Sequence, residues 1–209
     1  LVPFANSSIP LATIGVFILW FGWFGFNGGS QLALGTFDDA TAVAKIFINT
    51  NLAAAGGVMT CALVTRVIGG KTDVVQMLNG ALGGLVAITA EPLAPVPFIA
   101  IIIGSIGGAV VVAGTALLVK LKIDDVVGAI PVHMFAGIWG TLAVPLTNAD
   151  TNFGAQLIGV LSINVFMFAA SFAIWTILKS TIGIRVSDEA QRKGTDVAET
   201  GVVAYSIRD

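Results

Sequence analysis

One histidine, one cysteine and one tyrosine are all that 209 residues provide of those types, and only 11% of the chain is charged. Each scarcity removes a class of function. A lone cysteine, Cys61, builds neither a disulfide framework nor a thiolate metal site within one chain. A lone histidine, His133, rules out HExxH and any other paired-histidine centre, and no Gly-rich phosphate loop is present. Hydrolytic or metal-dependent catalysis is therefore not expected, nor is any metal or cofactor. A net charge of -2 without a basic stripe between aromatics excludes nucleic acid as a partner. The charged fraction itself lies far below the roughly 25% of soluble domains. With 56% hydrophobic residues, a mean hydropathy of +0.95 and 25 glycines, the surroundings expected for this chain are a lipid bilayer. It opens on Leu1 with no basic stretch before a short apolar core, so no signal peptide is expected and the numbering is expected to start inside a longer protein.

Cutting the chain at charged or Pro-rich interruptions leaves six apolar segments near the about 20 residues that cross a bilayer: 9–35, 42–67, 74–90, 98–119, 126–146 and 153–181. The fold class expected is all-α, a polytopic membrane bundle of about six transmembrane helices. The intervening loops alternate between acidic (Asp38 and Asp39, Glu91, Asp150) and basic (Arg66 and Lys71, Lys120 and Lys122, Lys179 and Arg185). By the positive-inside rule the first helix runs outward, residues 1–181 form the membrane domain, and 182–209 form a cytoplasmic tail. Ser187 is a helix start within that tail and Gly194 a stop. Gly25 and Gly29, Gly80 and Gly84, Gly104 and Gly108, and Ala136 and Gly140 are small-xxx-small pairs, which let helices approach closely in lipid.

Three places carry candidate chemistry. Counted by helix rise from Asp124, His133 falls about 13 Å into the fifth helix, near the bilayer midplane, where an ionisable group is a functional hypothesis. Ala129, Ala136, Gly137 and Gly140 share its face and leave space beside it; the other reading is a buried histidine bonded to a neighbouring helix. Trp23, Phe26 and Ser30 share one face of the first helix near its outer end and suit a small cation through hydrogen bonding and cation-π attraction. The same stripe also reads as packing or as an interfacial aromatic belt. Asp124 and Asp125 read as caps of the fifth helix, where the dipole favours negative charge.

The run Trp20-Phe-Gly-Trp-Phe-Gly-Phe-Asn-Gly-Gly-Ser30 resembles the sixth-helix motif of the ammonium transporter family (Amt/Mep/Rh). Further matches follow in the family's order: Asn49-Thr-Asn-Leu-Ala-Ala-Ala55, Asn79-Gly-Ala-Leu-Gly-Gly-Leu-Val-Ala-Ile-Thr89, Asp124-Asp125 with Pro131-Val-His133, Ala136-Gly-Ile-Trp-Gly140, and Gly183-Ile-Arg-Val-Ser-Asp-Glu189. The resemblance implies the C-terminal half, helices six to eleven: one of two inverted five-helix repeats plus a final helix, in a homotrimer in the plasma or inner membrane. It implies that Ser30 belongs to an outer ammonium-recruitment site, that Phe26 is one of two gating phenylalanines with Trp23 on the same face, and that His133 is the second of two pore histidines. It further implies a complementary N-terminal half, in the same or a separate chain, and a PII-type regulatory protein at the tail. The chain departs from the family at Gly128, where some members carry an aspartate, and at Glu199-Thr-Gly201.

On that resemblance the expected function is ammonium transport. The cation would be captured near Ser30, deprotonated around Phe26 and passed by His133 as ammonia with proton relay, since stripping a whole cation of water costs several kcal/mol. The alternatives are an ammonium-sensing receptor that drives a cytoplasmic signalling partner, and a neutral gas channel of the Rh type.

Overall fold

A computed structural model describes residues 7–204. Of these, Pro10–Val160 form one compact unit, and those from Leu161 onward with residues 7–9 form another. Six apolar helices stand where six segments were expected: α1 (Ile9–Gly29), α2 (Phe37–Gly69), α3 (Val74–Thr89), α4 (Pro97–Leu121), α5 (Ile130–Leu146) and α6 (Phe153–Thr181). The tail adds α7 (Asp188–Lys193) and α8 (Thr195–Thr200). Among the described residues only α1, α2, α4 and α6 are long and apolar enough to cross a membrane by themselves. At 16 residues α3 spans about 24 Å, short of the roughly 30 Å hydrocarbon thickness.

Several boundaries move for local reasons. The first helix ends at Gly29, not at residue 35, and the chain turns through 3-residue hydrogen bonds, Ser30 N–H to the Asn27 carbonyl and Gln31 N–H to that of Gly28. The second begins five residues before Ala42. Thr36 accepts from the Asp39 N–H at 3.1 Å while the Asp39 carboxylate accepts from the Thr36 N–H at 3.2 Å, a complete capping box. Asp38 and Asp39, assigned to a loop on charge, are thus the first turn of α2, where the helix dipole favours them. The tail helix starts and stops as expected, with Ser187 Oγ accepting from the Ala190 N–H at 3.2 Å and Gly194 at its end. Residues 205–209 of the expected tail lie outside the described residues.

The core of the first unit is built where α2, α3 and α4 cross. At these crossings glycine is required by closeness. A Cβ on Gly108 would lie 2.6 Å from the Gly57 carbonyl oxygen and 2.9 Å from its Cα, and one on Gly104 would fall onto the Ala53 backbone. Gly80, Gly84 and Gly140 face neighbouring backbone or side-chain atoms in the same way. The remaining expected pair does not pack: a Cβ on Gly25 or on Gly29 would meet nothing within 4 Å. Leu85, Val111, Val132 and Ala136 fill one cluster between these helices, with Trp20 and Trp23 of α1 laid against it.

Polar side chains fix which ends lie together. Asn49 of α2 donates to the carbonyls of Pro92 at 2.9 Å and Pro95 at 2.8 Å, and Glu91 accepts from the Asn148 side chain at 2.8 Å. The ends of α1, α3 and α5 therefore share one face with Asp38, Asp39, Glu91 and Asp150. Opposite, Thr65 accepts from the Asp73 N–H at 3.2 Å and Asn79 donates to the Val127 carbonyl at 3.0 Å, which places the Arg66, Lys71, Lys120 and Lys122 segments at the other end. The second unit consists of the greater part of α6 with α7 and α8. Among the α6 residues only Val160 is buried, so the helix is apolar all round, as a lipid-facing helix is.

Candidate functional site

The fifth helix begins at Ile130, not Val126, because residues 122–128 are not helical. The count of helix rise from Asp124 to His133 therefore does not hold, and His133 lies three residues inside α5. Its first turn is π-helical over Ile130–Phe135, with the Ala136 N–H donated to the Pro131 carbonyl. Pro131 stands in the first turn of α5, where proline is tolerated, and the Val127 carbonyl four residues before it lies in the non-helical segment. That carbonyl has been taken by Asn79. A single-turn widening of this kind re-aims the side chains it carries and is frequent at functional sites.

Asp125 holds the turn from below. Its carboxylate accepts from three successive N–H groups, Gly128 at 3.0 Å, Ala129 at 2.9 Å and Ile130 at 2.8 Å. Asp124 is exposed beside it. Gly128 sits at φ +78°, and a Cβ there would be 2.6 Å from Asn79 Nδ2. An aspartate at this position would be strained and would displace the amide that holds Val127, so glycine and the Asn79 contact belong together in this chain. Asp125→Ala leaves three orphan donors and is expected to lower stability by about 1–2 kcal/mol. Thermal unfolding in detergent measures it, and an unchanged midpoint would contradict the capping role.

His133 opens onto a cavity of about 610 Å³ lined by α1, α3 and α5. The imidazole is exposed to it, and among the described residues it makes no hydrogen bond. It is not wedged in a dry helix contact. Trp23 and Phe26 line the same cavity, their rings 5.9 Å apart and inclined at 51°. The Trp23 indole N–H donates to Thr89 Oγ1 at 2.7 Å, and the Thr89 hydroxyl donates to the Leu85 carbonyl at 2.6 Å, so the indole is latched to α3. Phe26 is 64% exposed. Ser30 stands apart: it follows the end of α1, does not line the cavity, and donates its hydroxyl to the Phe26 carbonyl at 2.9 Å. The structure thus brings Trp23, Phe26 and His133 to one wall and leaves Ser30 on the turn beyond it.

Thr89, Gly137 and Thr141 complete the wall, and Thr89 and Thr141 are residues that reading for helical faces missed. Asn27 was missed too: it is 1% exposed and donates to Thr50 Oγ1 at 3.0 Å, tying α1 to α2. The only sequence signal for these is a polar side chain inside an apolar run, and the partners of Asn27 and Thr89 are 23 and 66 residues away.

An apolar trough thus runs across α1, α3 and α5 beside one uncommitted imidazole and a latched aromatic pair, and the protein is an integral membrane protein. The family model for the Ammonium Transporter Family matches residues 2–205, and the chain belongs to that family, one of transport proteins rather than enzymes. It is 42% identical to the ammonium transporter Amt2 of Archaeoglobus fulgidus, over 96% of this chain and 46% of that relative. It is 36% identical to the ammonium transporter of Bacillus subtilis, over 92% of this chain and 50% of that one. Among solved structures it resembles a sensor Amt protein with a TM-score of 0.85 and 33% identity, covering 92% of this chain and 49% of the other. A Candida albicans Mep2 variant gives 0.79 and 26%, covering 96% and 48%. The chain spans about half the length of the relatives it matches.

Proposed function

We propose that this chain forms one wall of an ammonium-conducting pore, the C-terminal half of the transporter, with its acidic-loop face outside and its tail in the cytoplasm. The observation that carries the reading is the uncommitted His133 imidazole open to a trough that is otherwise apolar except for Trp23, Thr89 and Thr141. Ammonium reaches the outer end near Ser30, gives up its proton around Phe26 and Trp23, and passes His133 as ammonia while the imidazole hands the proton on. An imidazole suits the task because one ring nitrogen can accept while the other donates. The open side of the trough is covered by the complementary N-terminal half, in the same or a separate chain, three such units form a trimer, and a PII-type regulatory protein meets the tail.

The assembled transporter in liposomes is expected to take up ammonium saturably and to move charge with it. Absence of uptake would overturn the reading, and uptake without charge would assign a neutral gas channel. A second reading, an ammonium sensor, has one observation in its favour, the fold likeness to a sensor Amt protein. A signalling module attached to the tail that answers to ammonium while uptake is absent would establish it instead.

A further inference from the structure

Four residues lining the cavity carry groups that form hydrogen bonds: Trp23, Thr89, His133 and Thr141. Two have already spent their donors on each other and on α3. The Trp23 N–H goes to Thr89 and the Thr89 O–H to the Leu85 carbonyl, which leaves Thr89 a lone pair and no proton. Among the described residues, His133 and Thr141 make no hydrogen bond. They are the two free polar groups of an otherwise apolar wall. His133, Gly137 and Thr141 recur at i, i+4 and i+8, which sets them in one line along α5. Between the two polar residues stands Gly137, where even an added Cβ would meet only Val86 Cγ1, at 3.6 Å. Gly137 itself puts no side chain between them.

Resting on the function proposed above, we infer that Thr141 is a second hydrogen-bonding station for ammonium or ammonia, two turns of α5 beyond His133 toward the Thr89 end of the cavity. A hydroxyl serves both protonation states, accepting an N–H of the cation or donating to the lone pair of the neutral amine. A polar molecule beside an apolar wall without a partner is held at a cost comparable to a lost hydrogen bond. Thr141 removes that cost at one point and Thr89, which can only accept, assists only a molecule carrying N–H groups.

The assembled transporter in liposomes, with ammonium as the probe, tests this. Thr141→Val keeps the shape and removes the hydroxyl. Its KM for uptake is expected to rise about threefold to tenfold, the scale of one hydrogen bond, with the maximal rate little changed. Thr141→Ser is expected to restore the wild-type KM, and Thr141→Ala repeats the measurement if the valine variant does not assemble. A wild-type KM in the valine and alanine variants would overturn the station while leaving ammonium transport standing. So would a lower amount of assembled protein with no rescue by serine, since Thr141 would then act in packing. A wild-type protein that moves no ammonium would overturn both inferences at once.

Discussion

Gly104→Ala is expected to be among the most damaging single changes in this chain, costing about 3 kcal/mol, the upper end of the range for overpacking. The added methyl would sit on the Ala53 carbonyl group of α2, and backbone cannot turn away as a flexible side chain can. Helices α2 and α4 would have to separate along their contact, opening the nearby approach of Gly108 to Gly57 as well. Gly25→Ala is the matched control. It carries the same sequence signature, yet its Cβ meets nothing within 4 Å, and alanine is the better helix former, so its effect is expected to be neutral or slightly stabilising. Thermal unfolding of the two variants in detergent compares them. Equal midpoints would mean that the α2–α4 crossing relaxes at little cost.

His133→Ala is expected to reduce the charge moved with ammonium by about a hundredfold, the scale for losing one positioned proton-transfer group. Among the residues of this chain lining the cavity no other side chain carries an ionisable group: the rest are aliphatic, aromatic, glycine or threonine. No neighbour within this chain can therefore take the imidazole's place. The methyl group enlarges an already open space, so ammonia itself should still pass down its gradient. Charge and uptake are thus expected to separate in this variant. Currents on solid-supported membranes, set beside uptake in liposomes, make the comparison. An unchanged current with unchanged selectivity would remove His133 from the mechanism.

How far the fold could be read in advance depended on the range of the signal. The tail helix between Ser187 and Gly194 was legible because its start and stop are written in adjacent residues. The six apolar stretches were legible because a bilayer imposes length and composition together. Asp38 and Asp39 misled because a charge count treats any carboxylate as loop, whereas at a helix start the carboxylate is the cap. Gly25 and Gly29 misled in a similar way: the spacing tells which glycines share a face, not whether another helix stands there. The wall of the site was partly legible. Trp23 and Phe26 line the same cavity from one helix, the face that periodicity gave them, while their nearness to His133 of α5 is not written in any helical spacing. Ser30 fell outside because α1 ends one residue earlier, and the Trp23–Thr89 latch was unreadable because its ends are 66 residues apart.

The trough beside His133 is open along one side, and that has a consequence for how the protein exists. On the proposed function this chain is half a conduit and has no inside: left alone in a membrane, its apolar floor would be occupied by acyl chains, which compete with whatever segment closes it. Closure and conduction are then linked by mass action, and the number of working pores would track the supply of the covering segment as well as that of this chain.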